Sequence, residues 1–227
     1  SSFRDSEING GLVLYSCKVG GVPYMSMNHC LSGDSVFGLS NLRAYEEWRE
    51  KKLDQIPKDL SNHIITISNP PFLKNDEKEK ILNLCAVANG AIYSVKRNFK
   101  KFDLVALSRE LDFGEIDLPI FSEDIGVSVV TNISSGRQKD FIPYTCKPLG
   151  WHTDGYYNPL GFEVRSFILH CQSSAESGGQ SSFLDPEIVY MHLRDENIEY
   201  IEAFMDPNLF SVDANMANGF VVRPQTT

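Results

Sequence analysis

The stretch Leu149-Gly150-Trp151-His152-Thr153-Asp154-Gly155-Tyr156-Tyr157-Asn158-Pro159 holds the most informative chemistry of the chain. In a strand or at its end, residues two apart point to the same side, so His152 and Asp154 are expected to face one point while Thr153 faces away. An imidazole and a carboxylate that converge supply two of the three ligands of the facial triad that holds non-haem Fe(II). His-x-Asp recurs by chance, so the weight rests on what surrounds it.

Downstream, Val164 to Cys171 reads as an apolar strand, Gly178-Gly179 as a sharp turn, and Ser181 as a hydroxyl on the next strand able to bond a ligand carboxylate. Asp185-Pro186 then opens a helix expected to run to Phe204, with Asp185 as its cap. Upstream, Ile125 to Ile133 and Ile142 to Cys146 read as strands. Asp76 to Asn98 places Ile81, Leu82, Leu84, Cys85, Val87, Ala88, Ile92 and Val95 at helical spacing behind an acidic first turn, which predicts one long helix weakened at Gly90. A charged helix is expected from Asn41 to Lys58, ending at Pro57. Short apolar runs between Gly10-Gly11, Gly20-Gly21, Pro23 and Gly33 predict strands joined by tight turns. The pattern is α+β, a β core flanked by helices, with residues 1–60 as an accessory segment and 61–227 as the main domain.

With 30 Asp and Glu against 21 Lys and Arg, the net charge of −9 opposes binding to nucleic acid or anionic lipid, and a small-molecule or peptide substrate is expected. The five cysteines are scattered, with no C-x-x-C pair, as in a reducing cytoplasmic compartment. No apolar run approaches the roughly 20 residues that cross a bilayer, and nothing in the sequence decides whether the protein forms a homo-oligomer.

The order and spacing of Tyr144-Thr145, His152-Thr153-Asp154, Leu169-His170-Cys171, Gly178-Gly179-x-Ser181 and Asp185 resemble the taurine dioxygenase and γ-butyrobetaine dioxygenase superfamily of Fe(II)/2-oxoglutarate oxygenases. The resemblance runs from about Ile142 to Leu193 and implies a double-stranded β-helix, or distorted jelly roll, with iron at one mouth. By it, His152 and Asp154 are iron ligands, Ser181 contacts 2-oxoglutarate, and Tyr144, with Trp151, Tyr156 and Tyr157 nearby, lines the substrate pocket. The reaction it implies consumes O2 and 2-oxoglutarate, hydroxylates a C–H bond of a small molecule, and releases succinate and CO2. A carboxylate at Asp154 favours hydroxylation over halogenation, which needs that coordination position open.

The family's third ligand, a distal histidine, and an arginine for the far carboxylate of 2-oxoglutarate lie on late strands. Here only His170 and His192 follow Asp154, and no histidine shortly precedes Arg223, so the last strands are expected to lie beyond the chain. His170 reads as a histidine satisfied beside the core, and His192 as an exposed helical residue. Ser1 to Lys58 offers no ligands for the zinc module of the γ-butyrobetaine branch. A non-catalytic binding protein on the same fold, lacking the distal ligand, is the alternative; a zinc hydrolase is weaker, because no helical glutamate follows to act as base. His29-Cys30 reads as ordinary packing, Lys96 to Lys101 as a solvated helix end favoured by the dipole, and Glu46-Glu47 with Arg49 to Lys52 as an exposed, i,i+4-paired face.

Overall fold

The computed structural model describes residues 2–3, 10–15, 35–114, 116, 125–136, 139, 141–158, 164–206, 209, 211, 215–217 and 220–223. The expected turns at Gly20-Gly21, Pro23 and Gly33, the pair His29-Cys30, and Pro159 and Gly161 lie outside them. The strands are β1 (Ser2–Phe3), β2 (Gly10–Tyr15), β3 (Ile65–Ile67), β4 (Gly90–Val95), β5 (Ser166–His170), β6 (Ser181–Ser182), β7 (Asn215–Ala217) and β8 (Phe220–Arg223). The helices are α1 (Leu42–Gln55), α2 (Asn75–Ala88), α3 (Lys101–Glu110), α4 (Pro186–Glu196) and α5 (Ile198–Phe204).

A four-stranded mixed sheet in the order β3-β4-β2-β5 organises the described residues. β3 and β4 are parallel and joined through α2, whereas β2 runs antiparallel to β4 and to β5. Side chains on a strand alternate between faces, and here both faces are covered. Val13, Ala91, Tyr93 and Val95 pack with Ile81 and Cys85 of α2 and Leu107 of α3, while Leu12 and Ile92 pack on the other face with Leu60, Ala88 and Phe183. Burial on both faces explains why β4 is apolar nearly throughout rather than alternating.

That run corrects the expected helix from Asp76 to Asn98. The helix stops at Ala88, Asn89 takes the left-handed conformation (φ 54°), and Gly90 begins a strand. Asparagine tolerates this conformation as a helix terminator, and the aromatic and β-branched residues Ile92, Tyr93 and Val95 then favour extension. Leu, Cys and Ala at helical spacing are correctly helical up to Ala88; beyond it, the apolar spacing belongs to a strand buried on both faces.

Three further expectations are corrected. Ile125 to Ile133 forms no strand, and Ile142–Tyr144 is a turn of 3-10 helix with Pro143 in its first turn, so the α+β class holds while these two strands of a jelly roll do not appear. The helix expected from Pro186 to Phe204 is two helices, because Asn197 ends α4 and its side chain caps α5 through the amide of Glu199. The basic cluster at Lys96 to Lys101 sits at the N-terminus of α3, where the dipole disfavours cations. Asp103 compensates: it accepts from the Lys100 amide at 2.7 Å and from two Arg97 nitrogens at 2.8 Å, and its carboxyl is held at about 2, chiefly by Arg97.

The expected exposed face of α1 is also only half right. Glu47 pairs with Arg43 at 2.8 Å on the surface, yet Lys52 is buried, 2.8 Å from Asp185 and paired as well with Glu187. Asp185 caps α4 as expected, accepting from the Glu187 amide at 2.9 Å, and it also accepts from the Asn89 side chain at 2.8 Å. Next to this joint Arg194 lies 3.9 Å above the Tyr45 ring and donates to the carbonyls of Val36, Gly38 and Leu39, while Tyr45 donates to Asp195 at 2.6 Å.

Two outcomes follow for stability. Asp185→Ala removes a cap and leaves the buried Lys52 short of a counter-charge, so urea unfolding should show a loss of about 3–5 kcal/mol, whereas Arg43→Ala should leave the midpoint where it is. His170, on β5, is held below the ordinary histidine value by burial, against the opposing pull of Asp103. A depressed folded value means that the unfolded chain takes up the proton first, so stability is full above the unfolded value and falls as pH drops through the folded one. Melting temperature should therefore fall between pH 7 and pH 5, and His170→Gln should flatten that slope; an unchanged slope would contradict the assignment.

Candidate metal centre

His152 and Asp154 do not lie on a strand. They sit in consecutive turns between the 3-10 turn at Ile142–Tyr144 and β5, and both are exposed. The convergence expected from strand pleating is nonetheless present, produced by other means. The His152 Nδ1 lies 2.8 Å from the Gly150 carbonyl oxygen, an acceptor, so Nδ1 carries a proton and, in the neutral imidazole, Nε2 keeps its lone pair. That free nitrogen is 3.5 Å from an oxygen of Asp154.

This half-site fits a divalent transition metal. A backbone carbonyl fixing the remote ring nitrogen is the usual outer partner of a metal-bound histidine. Adjacent nitrogen and oxygen ligands on a metal at ~2.1 Å stand about 3 Å apart, which a small side-chain rotation reaches from 3.5 Å. Among the described residues no cluster of three His, Cys, Asp or Glu side chains surrounds the pair.

Neither later histidine joins it in a described cluster. His170 packs beside the core: its Nδ1 is 2.9 Å from the Tyr93 hydroxyl, its ring stacks on Phe99 at 4.7 Å, and its Nε2 is buried with no partner among the described residues. The reading of His170 as a core histidine therefore holds for one ring nitrogen. His192 is exposed on α4, as expected.

The other sequence-derived candidates are distributed around the turns. Tyr156 and Tyr157 meet edge to face at 5.2 Å. Trp151 is 71% exposed and Tyr156 60%, whereas Tyr144 is buried, and burial raises its hydroxyl above the ordinary value. The Tyr144 carbonyl accepts from the Ile133 amide at 3.0 Å, which ties the segment preceding His152 and Asp154 to the 125–136 stretch. Ser181 is on β6, as expected after the Gly178-Gly179 turn, where both glycines have positive φ (72° and 73°). Its strand pairs with β1, Phe3 opposite Ser181.

Two features of the site were not singled out from sequence. One is the Gly150 carbonyl, which no side-chain pattern reveals. The other is Gly155, whose position directly after the candidate ligand Asp154 was a visible signal. It has φ 71°, and its carbonyl closes a turn by accepting from the Asn158 amide at 2.8 Å.

Among the described residues no helix is long and apolar enough to cross a membrane. No solved structure matches the chain. A curated relative, the uridine-5'-phosphate dioxygenase of Streptomyces sp, is 26% identical over 137 residues, covering 59% of this chain and 50% of the relative, so the chain spans about half of that protein's length. The model of the family described as taurine catabolism dioxygenase TauD, TfdA matches residues 73–223, a span that contains His152, Asp154 and Ser181, and the chain belongs to that family.

Proposed function

We propose that the protein is an Fe(II)- and 2-oxoglutarate-dependent oxygenase that hydroxylates a C–H bond of a small molecule. The observation that carries this reading is the free Nε2 of His152, 3.5 Å from the Asp154 carboxylate, inside the stretch matched by a dioxygenase family. Iron, when bound, supplies the activation of O2, one oxygen atom of which ends in succinate and the other in the hydroxylated product, with CO2 released. In this reading the frame is the family's distorted jelly roll, of which the described sheet forms part.

Each residue then has a task. His152 and Asp154 hold the metal, the carboxylate offsetting one of its two charges. The Gly150 carbonyl keeps the proton on Nδ1, so Nε2 needs no tautomer exchange before it binds. Ser181 donates its hydroxyl proton to a carboxylate oxygen of 2-oxoglutarate. Tyr144, Trp151, Tyr156 and Tyr157 supply ring surface to exclude water and orient the substrate. The compound named for the Streptomyces relative, uridine 5'-phosphate, is a reasoned first member of a substrate screen.

Anaerobic titration of the protein with Fe(II) and 2-oxoglutarate should give a weak, saturable visible charge-transfer band, absent from Asp154→Ala. Succinate release on admitting O2 should follow the same pattern. A parent protein that gives no band under these conditions would transfer the weight to a binding protein on the same fold.

A further inference from the structure

We infer that Gly155 is a positioning residue for the metal centre: its left-handed turn, wedged against Val164, sets the direction in which the Asp154 carboxylate leaves the chain. This rests on the reading of His152 and Asp154 as metal ligands. Asp154 has no strand ladder to aim it, because it stands in a run of turns. The backbone on its C-terminal side is instead fixed by three constraints at Gly155. Its φ of 71° lies where an L side chain is disfavoured. Its carbonyl accepts from the Asn158 amide at 2.8 Å, which closes the turn. A Cβ placed on it would stand 2.6 Å from Cγ2 and 3.3 Å from Cβ of Val164, and 3.0 Å from the Asn158 side-chain nitrogen.

The first and third constraints act together. Relaxing φ to the ordinary region would swing the peptide between Asp154 and Gly155, and holding φ would drive a methyl group into Val164. Rotation about the Val164 side chain moves Cγ2 but leaves its Cβ 3.3 Å from the added methyl, a tight contact to which Val164 must yield by a few tenths of an ångström. Either response displaces the Asp154 Cα relative to His152, which is anchored separately by the Gly150 carbonyl. The pair is thus held from two sides, His152 from the residue before Trp151 and Asp154 from the residue after it. Gly136 and Gly150, by contrast, have nothing within 4 Å of an added Cβ.

The test is Co(II) binding, read by its visible absorption, in the 227-residue chain. The parent should bind saturably and Asp154→Ala should not; if the parent takes up no Co(II), the metal-centre reading itself falls and this inference with it. Given binding by the parent, Gly155→Ala should weaken Co(II) affinity on the order of 10-fold or more, the range seen for outer partners of metal ligands, while the thermal melt stays cooperative. Gly155→Ala/Val164→Ala should recover part of that affinity by vacating the space Cγ2 fills. Parent-like affinity in a folded Gly155→Ala protein would overturn the inference, as would a double variant Gly155→Ala/Val164→Ala that binds no better than Gly155→Ala.

Discussion

The buried carboxylate of Asp185 is the constraint on which the described part of the molecule depends. It accepts from the Asn89 side chain at the end of α2, caps α4 through the Glu187 amide, and pairs with Lys52 of α1 at 2.8 Å. Burying a charge is unfavourable unless it is paired and hydrogen-bonded; here the carboxylate is paired with Lys52 and accepts two hydrogen bonds at Oδ1, and Lys52 is paired with two carboxylates. The same atoms therefore tie three helices to the point where β4 begins. Ser181 stands four residues before this anchor, so the strand that bears the proposed co-substrate hydroxyl is referenced to the sheet through Asp185 and through the packing of Phe183 on Leu12 and Ile92.

A second lock reinforces the first. Arg194 spans from the Tyr45 ring to the carbonyls of Val36, Gly38 and Leu39, and Tyr45 in turn donates to Asp195. A guanidinium has donors enough to serve several carbonyls while its face lies on an aromatic ring, which a lysine could not do. Burial and the neighbouring carboxylate of Asp195 push the Tyr45 hydroxyl well above the usual tyrosine value, so it acts as a donor at all ordinary pH. The helical side of the molecule is thus cross-braced by polar groups, whereas His152 and Asp154 are set on turns whose hydrogen bonds are short in range.

How far the sequence could be read follows the range of each interaction. The cap Asp185, the strand at Ser166–His170, the Gly178-Gly179 turn and the approach of His152 to Asp154 depend on neighbours within a few residues, and all were legible. Lys52 was assigned to the surface because its local pattern is that of a charged helix; its partners at Asp185 and Glu187 are more than a hundred residues away. The second half of the supposed helix at Asp76 to Asn98 failed for a related reason, since burial on both faces of β4 erases the alternation that identifies a strand. At Ile125 to Ile133 and Ile142 to Cys146 the apolar composition favoured strands, but Pro143 sits in a turn and Val129 and Val130 are exposed, so composition there did not translate into ladder pairing.

The same contrast bears on how a metal pair can be built. A strand would present His152 and Asp154 to one side by its pleat alone, and any residue could follow them. Held in turns, the two side chains converge only because each flank is specified: a carbonyl before, which selects the nitrogen left free, and a left-handed glycine after, which leaves no room for a side chain. At 3.5 Å the two donors are too far apart for a hydrogen bond to hold them together, so the backbone around them must do it. On the proposed reading of the pair as metal ligands, that requirement makes the Gly150 carbonyl and the left-handed turn at Gly155 as much a part of the chemistry as the imidazole and carboxylate they direct.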